Sequence, residues 1–237
     1  MVKRRDTSLI DRAVGGASSI RVFLSQSWRD FRHVGAVAPS GACLARAMTR
    51  HLKTLPTDRP WRILEAGPGT GAMTREILNQ LRTDDRLVIV ESNATFANHA
   101  RRLLNDGQEE WPAAANAVVI EGRVEAARLE GEFDWIVSSL PFNNFTAAEV
   151  AAIFDVYRLR APSGRLSFFE YLGVRGLKGL VANHATGRRL GEVAEVLRGM
   201  LVGREFARET VWRNLPPAVA HHLRLDAPRE RTDDSET

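Results

Sequence analysis

The chain carries a single cysteine, Cys43, in 237 residues. One thiol excludes an internal disulfide framework and any metal site built on paired cysteines. Cys43 itself reads as a small buried residue, not a nucleophile. No apolar run approaches the roughly 20 residues of a membrane span. Met1-Val2-Lys3-Arg4-Arg5 leads into a mixed, charged segment and not into the apolar block of a secretory signal. The six histidines are scattered, no spacing of His, Cys and acids suits a metal, and no Ser-His-Asp or Cys-His grouping stands out. Together these absences predict a cytoplasmic globular domain with neither metal nor covalent hydrolytic chemistry.

What is present is charge, unevenly placed. The net charge of +4 divides into +7 over residues 1–53, −7 over 54–157, +6 over 158–213 and −2 over 214–237. Two basic sections flank an acidic one, and a shared basic face would attract an anionic partner, either a membrane surface or nucleic acid.

The most informative stretch lies in the acidic section: Leu64-Glu65-Ala66-Gly67-Pro68-Gly69-Thr70-Gly71, between an apolar strand-like segment and a helical one starting at Ala72. Glycines at 67 and 69 allow close approach of backbone to a ligand, and Gly71 allows the helix to lie tight on the strand. The helix N-terminus offers free N–H groups. A Gly-x-Gly-x-Gly loop alone is a weak signal. Glu65 sharpens it, because a carboxylate there repels a pyrophosphate but attracts an ammonium. A second strand, Arg86 to Val90, ends in Glu91 with Ser92 beside it, and a carboxylate in that position suits ribose hydroxyls. An ordinary strand–helix turn with two solvent-facing acids is the alternative.

These motifs resemble class I S-adenosylmethionine (SAM)-dependent methyltransferases, whose acid-x-Gly-x-Gly-x-Gly loop and strand-end acid are matched by Glu65, Gly67, Gly69, Gly71 and Glu91, over about residues 60 to 170. The resemblance implies a doubly wound, Rossmann-like α/β fold with a seven-stranded sheet. It implies SAM as cofactor, held by Glu65, Gly67, Pro68, Gly69, Thr70, Gly71, Glu91, Ser92, Gly122, Arg123, Val124 and Ser138. After strand three, Arg123 stands where the family usually has an adenine-binding Asp. That leaves the Val124 backbone, Glu125 or a stacked Arg123 guanidinium to meet the ring.

Two segments narrow the resemblance. Gly35-Ala36-Val37-Ala38-Pro39-Ser40 is similar to the segment before the first strand in bacterial phospholipid N-methyltransferases, where it closes over the SAM pocket. After strand four stands Ser138-Ser139-Leu140-Pro141-Phe142. Nucleobase amino-methyltransferases carry Asn/Asp-Pro-Pro-aromatic there, whereas the lipid enzymes show a comparable Leu-Pro. The resemblance therefore implies methylation of an amino-lipid, phosphatidylethanolamine or an ornithine-type lipid. The ribosomal RNA adenine dimethyltransferases share the core, so an RNA adenine N6-methyltransferase is the runner-up, and a non-catalytic SAM-binding membrane protein is a third reading. Glu170 and Tyr171, ending strand five, and Ser139 are the candidates to hold the acceptor.

Residues 7 to 32 read as one helix, with Ile10, Val14, Ala17, Ile20, Leu24, Trp28 and Phe31 forming an apolar stripe among arginines. Such a stripe suits either peripheral attachment to the inner face of a membrane or packing on the domain's own core. The expected organisation is an N-terminal helical extension and pocket-covering segment over 1–54, a methyltransferase domain over 55–225, and a disordered tail over 226–237. Six strands are located, the sixth over 205–213. The short Ala-His-rich segment after Pro216-Pro217 is read as weakly structured.

Overall fold

The protein is described by a computed structural model covering residues 39–172 and 184–226. The expected helix over 7–32, most of the 34–41 segment, residues 173–183 and the tail from 227 lie outside the described residues. Described helices are α1 (Pro39–Thr49), α2 (Ala72–Leu78), α3 (Ala94–Asp106), α4 (Ala147–Arg160) and α5 (His184–Leu201). The strands are β1 (Arg62–Ala66), β2 (Arg86–Glu91), β3 (Val118–Glu121), β4 (Trp135–Ser138), β5 (Arg165–Tyr171), β6 (Glu205–Val211) and β7 (Ala218–Arg224).

Local chemistry fixes several boundaries. Asn93 caps α3 by accepting from the N–H groups of Thr95 and Phe96. Thr146 and Glu149 form a reciprocal capping box at α4. The parallel strands read as continuous apolar runs because helices cover both faces of the sheet.

The strands form one sheet in the order β3-β2-β1-β4-β5-β7-β6. β1 to β5 pair in parallel, and β7 runs antiparallel between β5 and β6. One face packs α1, α2 and α3 through Met48, Leu52, Ile63, Ile77, Leu87 and Trp135. The other packs α4 and α5 through Leu64, Ile136, Phe154, Phe168 and Leu197. The compact unit begins at Pro39: α1 carries the buried residues Leu44, Ala45, Ala47 and Met48, so this part of the expected extension is built into the domain core. Among the described residues, no helix is long and apolar enough to cross a membrane.

The seventh strand corrects the sequence reading. Residues 218–224 are the antiparallel β7, with Tyr171 opposite Ala218 and Arg165 opposite Arg224. Its run Ala218-Val219-Ala220-His221-His222 does not alternate, because both faces are covered.

Candidate active site

Strand order reverses between β1 and β4, the place where open α/β sheets bind ligands beyond the strands' carboxyl ends. The loops after these two strands meet there. The Ser139 N–H donates to Ala66 O at 2.8 Å, and the Gly67 N–H to Val90 O at 2.9 Å. Gly67, Gly69 and Gly71 all have positive φ, at 75°, 53° and 81°, which L side chains rarely adopt. A Cβ on Gly67 would lie 2.9 Å from Leu140 Cδ2, whereas one on Gly69 would meet no protein atom within 4 Å. Gly67 thus lies against the post-β4 segment in a left-handed conformation that favours glycine, and Gly69 faces an open cradle.

Two carboxyl groups flank that cradle. Glu65 is fully buried at the end of β1. Thr74 Oγ1 donates to its Oε1 at 3.1 Å, while Oε2 is buried without a partner. Burial, reinforced by the charge of nearby Glu91, pushes its pKa up to about 8 against the hydrogen bond from Thr74. Glu91 ends β2 and accepts from the Asn93 N–H at 2.8 Å. Burial raises its pKa, opposed by hydrogen bonds from the backbone of Asn93, Gly69 and Ser92 and from the Ser92 side chain. His99 and Thr70 O lie 3.2 Å apart, tying α3 to the loop.

Beyond β3, Gly122 has open space before it and donates its N–H to Glu91 O at 2.8 Å. Arg123 does not stack over this region. Its guanidinium is drawn to two carboxylates, Glu125 and, at 3.1 Å, Glu149 at the start of α4. The Val124 side chain is buried in the core. Ser138 also departs from its expected role. Its hydroxyl accepts from Tyr157 at 2.9 Å within the α4 face, because strand alternation turns it away from the loop.

At the same edge of the sheet an apolar cleft opens between the post-β4 turn, the end of β5 and α5. It is lined by Pro141, Phe142, Asn143, Phe169, Glu170, Tyr171, Leu190, Val193, Ala194 and Leu197. Arg189 Nη1 donates to Asn144 O at 3.2 Å, joining α5 to the turn. Glu170 Oε2 lies 3.5 Å from His221 Nε2, and the opposite ring nitrogen of His221 lies 2.6 Å from Glu205 Oε1. The His221 ring stacks on Phe168 with centroids 5.0 Å apart. Burial alone would lower the His221 pKa, but hydrogen bonds to Glu170 and Glu205 outweigh it and raise it. Burial also raises the pKa of Tyr171. Ser139, two residues before the cleft's Pro141, does not line the cleft, and its hydroxyl is buried without a partner.

Comparison with known proteins agrees with this geometry. A methyltransferase domain family matches residues 63–164. These residues form a SAM-dependent methyltransferase domain. It is 29% identical over 150 residues, 60% of its length and 73% of the relative's, to an ornithine lipid N-methyltransferase from Singulisphaera acidiphila. Its fold is similar to magnesium protoporphyrin IX methyltransferase from Synechocystis, with a TM-score of 0.63 at 14% identity, covering 88% of this chain and 99% of that one. It is also similar to a didemethyltoxoflavin N1-methyltransferase from Burkholderia thailandensis, with a TM-score of 0.60 at 17% identity, covering 95% and 94%.

The site of this methyltransferase has the chemistry that SAM requires. An open cradle lies before Gly69, and the unpartnered oxygen of Glu65 is a buried acceptor awaiting a donor. Sequence reasoning missed His221 and Glu205. Only the strand pairing brings these residues, distant in sequence from Glu170, to its side, and no local pattern reveals that. Among the described residues, no group of His, Cys, Asp and Glu is arranged to hold a metal.

Proposed function

We propose that the protein transfers a methyl group from SAM to the amino nitrogen of a membrane lipid, phosphatidylethanolamine or an ornithine-type lipid, at the inner face of the cytoplasmic membrane. The observation that carries this reading is a carboxylate, Glu170, set in a cleft whose other walls are largely apolar. That combination suits an amine on an apolar carrier. It is a poor match for a flipped base, which needs an amide or acid after β4 where this chain has Ser139. The ornithine lipid N-methyltransferase relative supports the same reading.

In this assignment Glu65, Gly67, Pro68, Gly69, Thr70, Gly71, Glu91, Ser92 and Gly122 hold the cofactor, which supplies an electrophilic methyl group on its sulfonium. Arg123 acts indirectly, by joining the post-β3 loop to α4. Glu170 accepts a hydrogen bond from the acceptor amine and orients it. A lipid amine near the alkylammonium reference pKa of about 10.4 must lose a proton before it can attack. The apolar walls disfavour its charged form, and Glu170 is placed to take the proton. His221 and Glu205 fix the Glu170 carboxylate. The Tyr171 hydroxyl is a further hydrogen-bonding group at the cleft. Much of the acceleration comes from orientation of the nitrogen.

The test is incubation with methyl-labelled SAM and, in parallel, phosphatidylethanolamine vesicles, ornithine-lipid vesicles or ribosomal RNA. Label in a lipid fraction is expected. Label in RNA alone would transfer the assignment to an adenine N6-methyltransferase. SAM binding without label in any fraction would identify a non-catalytic SAM-binding protein.

A further inference from the structure

The turn joining β6 to β7 is built inside out. Trp212 is 73% exposed and Leu215 86% exposed, while the polar Asn214 between them is only 6% exposed. Asn214 Nδ2 donates to Pro216 O at 2.7 Å, and the Asn214 N–H donates to Val211 O at 3.3 Å. The turn therefore spends its polar side chain on bracing itself and turns its apolar ones outward. A single exposed Leu needs no explanation, but an exposed Trp and Leu on one braced turn do. Leu172, 37% exposed, joins them from β5, since its N–H donates to Pro217 O at 2.7 Å.

The position of this tip matters as much as its composition. Tyr171, a wall of the acceptor cleft, pairs with Ala218, the residue that ends the turn. The apolar tip thus stands at the rim of the cleft, on the edge of the sheet where the parallel strands end. Its own charge is cationic: Arg213 lies exposed within the turn, and residues 211–218 contain no acid. Tryptophan beside arginine is the pairing that settles at the headgroup level of a bilayer.

We propose that Trp212, Leu215 and Leu172 form a membrane-docking tip that enters an anionic lipid surface and sets the mouth of the cleft at headgroup height. The proposal rests on the lipid-acceptor reading for its purpose but not for its test. Full-length protein and a Trp212→Ser/Leu215→Ser double variant are compared by co-sedimentation with vesicles of phosphatidylglycerol and phosphatidylcholine. Both side chains are exposed, so the melting temperature and SAM affinity of the variant should match wild type, and its vesicle affinity should fall at least tenfold. Vesicle affinity within twofold of wild type overturns the proposal. So does a wild-type dimer that the substitutions dissociate without changing vesicle binding, since the tip would then cover a second copy of the chain. If the tip governs vesicle binding but no vesicle amine is methylated, docking stands and the acceptor reading falls. If a short-chain monomeric phosphatidylethanolamine is methylated while the variant binds vesicles normally, the acceptor reading stands and docking falls.

Discussion

At the scale of single residues, the site depends on groups held in unusual states. Glu65 is protonated more readily in the folded chain than in the unfolded one, since burial raises its pKa to about 8. Its contribution to stability is therefore complete below the ordinary glutamate range and is lost as pH rises through about 8. An arriving ammonium reverses this balance by favouring the carboxylate. Calorimetry at pH 7 in buffers of different ionisation enthalpy should show SAM binding releasing a substantial fraction of one proton. Glu65→Gln should abolish that release, and a buffer-independent heat for wild type would contradict the pairing. Gly69→Ala tests the cradle. The new Cβ meets no protein atom, so folding should suffer only the left-handed backbone cost of about 1 kcal/mol, while SAM affinity falls at least tenfold. Unchanged affinity would remove the loop from the binding site. For the acceptor, Glu170→Gln should lower the rate about a hundredfold with SAM affinity near normal. A rate within about threefold of wild type, ~0.7 kcal/mol of barrier, would rule out a proton-transfer role.

At the scale of elements, β7 carries two adjacent histidines whose ionisation is pulled in opposite directions. His222 is buried beside His51. Its Nδ1 lies within hydrogen-bonding distance of Ser167 Oγ, at 2.8 Å, and that oxygen accepts from Trp135 Nε1 at 2.9 Å. Burial, with the nearby charges of His51, His221 and Arg50, lowers its pKa to about 3. The unfolded chain takes up a proton near pH 6.5 that the folded chain refuses, so stability falls as pH drops from about 6.5 towards 3, by up to about 5 kcal/mol. His221, with a raised pKa, contributes stability that is complete below pH 6.5 and is lost as pH rises through its folded value. The acid limb of a urea-unfolding series should therefore belong to His222. His222→Asn keeps a hydrogen-bonding partner for Ser167 without the titration, so it should flatten the decline between pH 6 and 4. An acid limb as steep as that of wild type would place the proton elsewhere.

At the scale of the whole molecule, the two proposed membrane contacts are distinguishable by salt. The arginines flanking the stripe over residues 3–32 contribute on the order of 1 kcal/mol each at an anionic surface, and salt weakens them. Reversing Arg4, Arg5 and Arg12 to Glu should lower flotation with phosphatidylglycerol vesicles at low salt and make little difference at high salt. The apolar tip at Trp212 should be insensitive to salt by comparison. If the charge-reversed protein floats as wild type does at low salt, the N-terminal segment has no electrostatic part in attachment.

The sequence by itself determined the parts whose physics is local. The glycine loop, its preceding acid and the strand-end Glu91 were legible because sterics and charge at short spacing demand those residue types. The parallel strands were legible because burial on both faces writes continuous apolar runs. Strand β7 was not, because His221 and His222 are polar residues whose burial depends on partners from β5 and β6. The fate of Arg123 was equally hidden, since the carboxylate that holds it, Glu149, belongs to a later helix. Ser138 looked like a site residue until strand alternation gave its hydroxyl to Tyr157. Tertiary structure alone decided which carboxylate the histidine braces and which apolar side chains remain outside. Those outcomes depend on which strands become neighbours, and pairing across the sheet leaves no mark on the residues beside it in the chain.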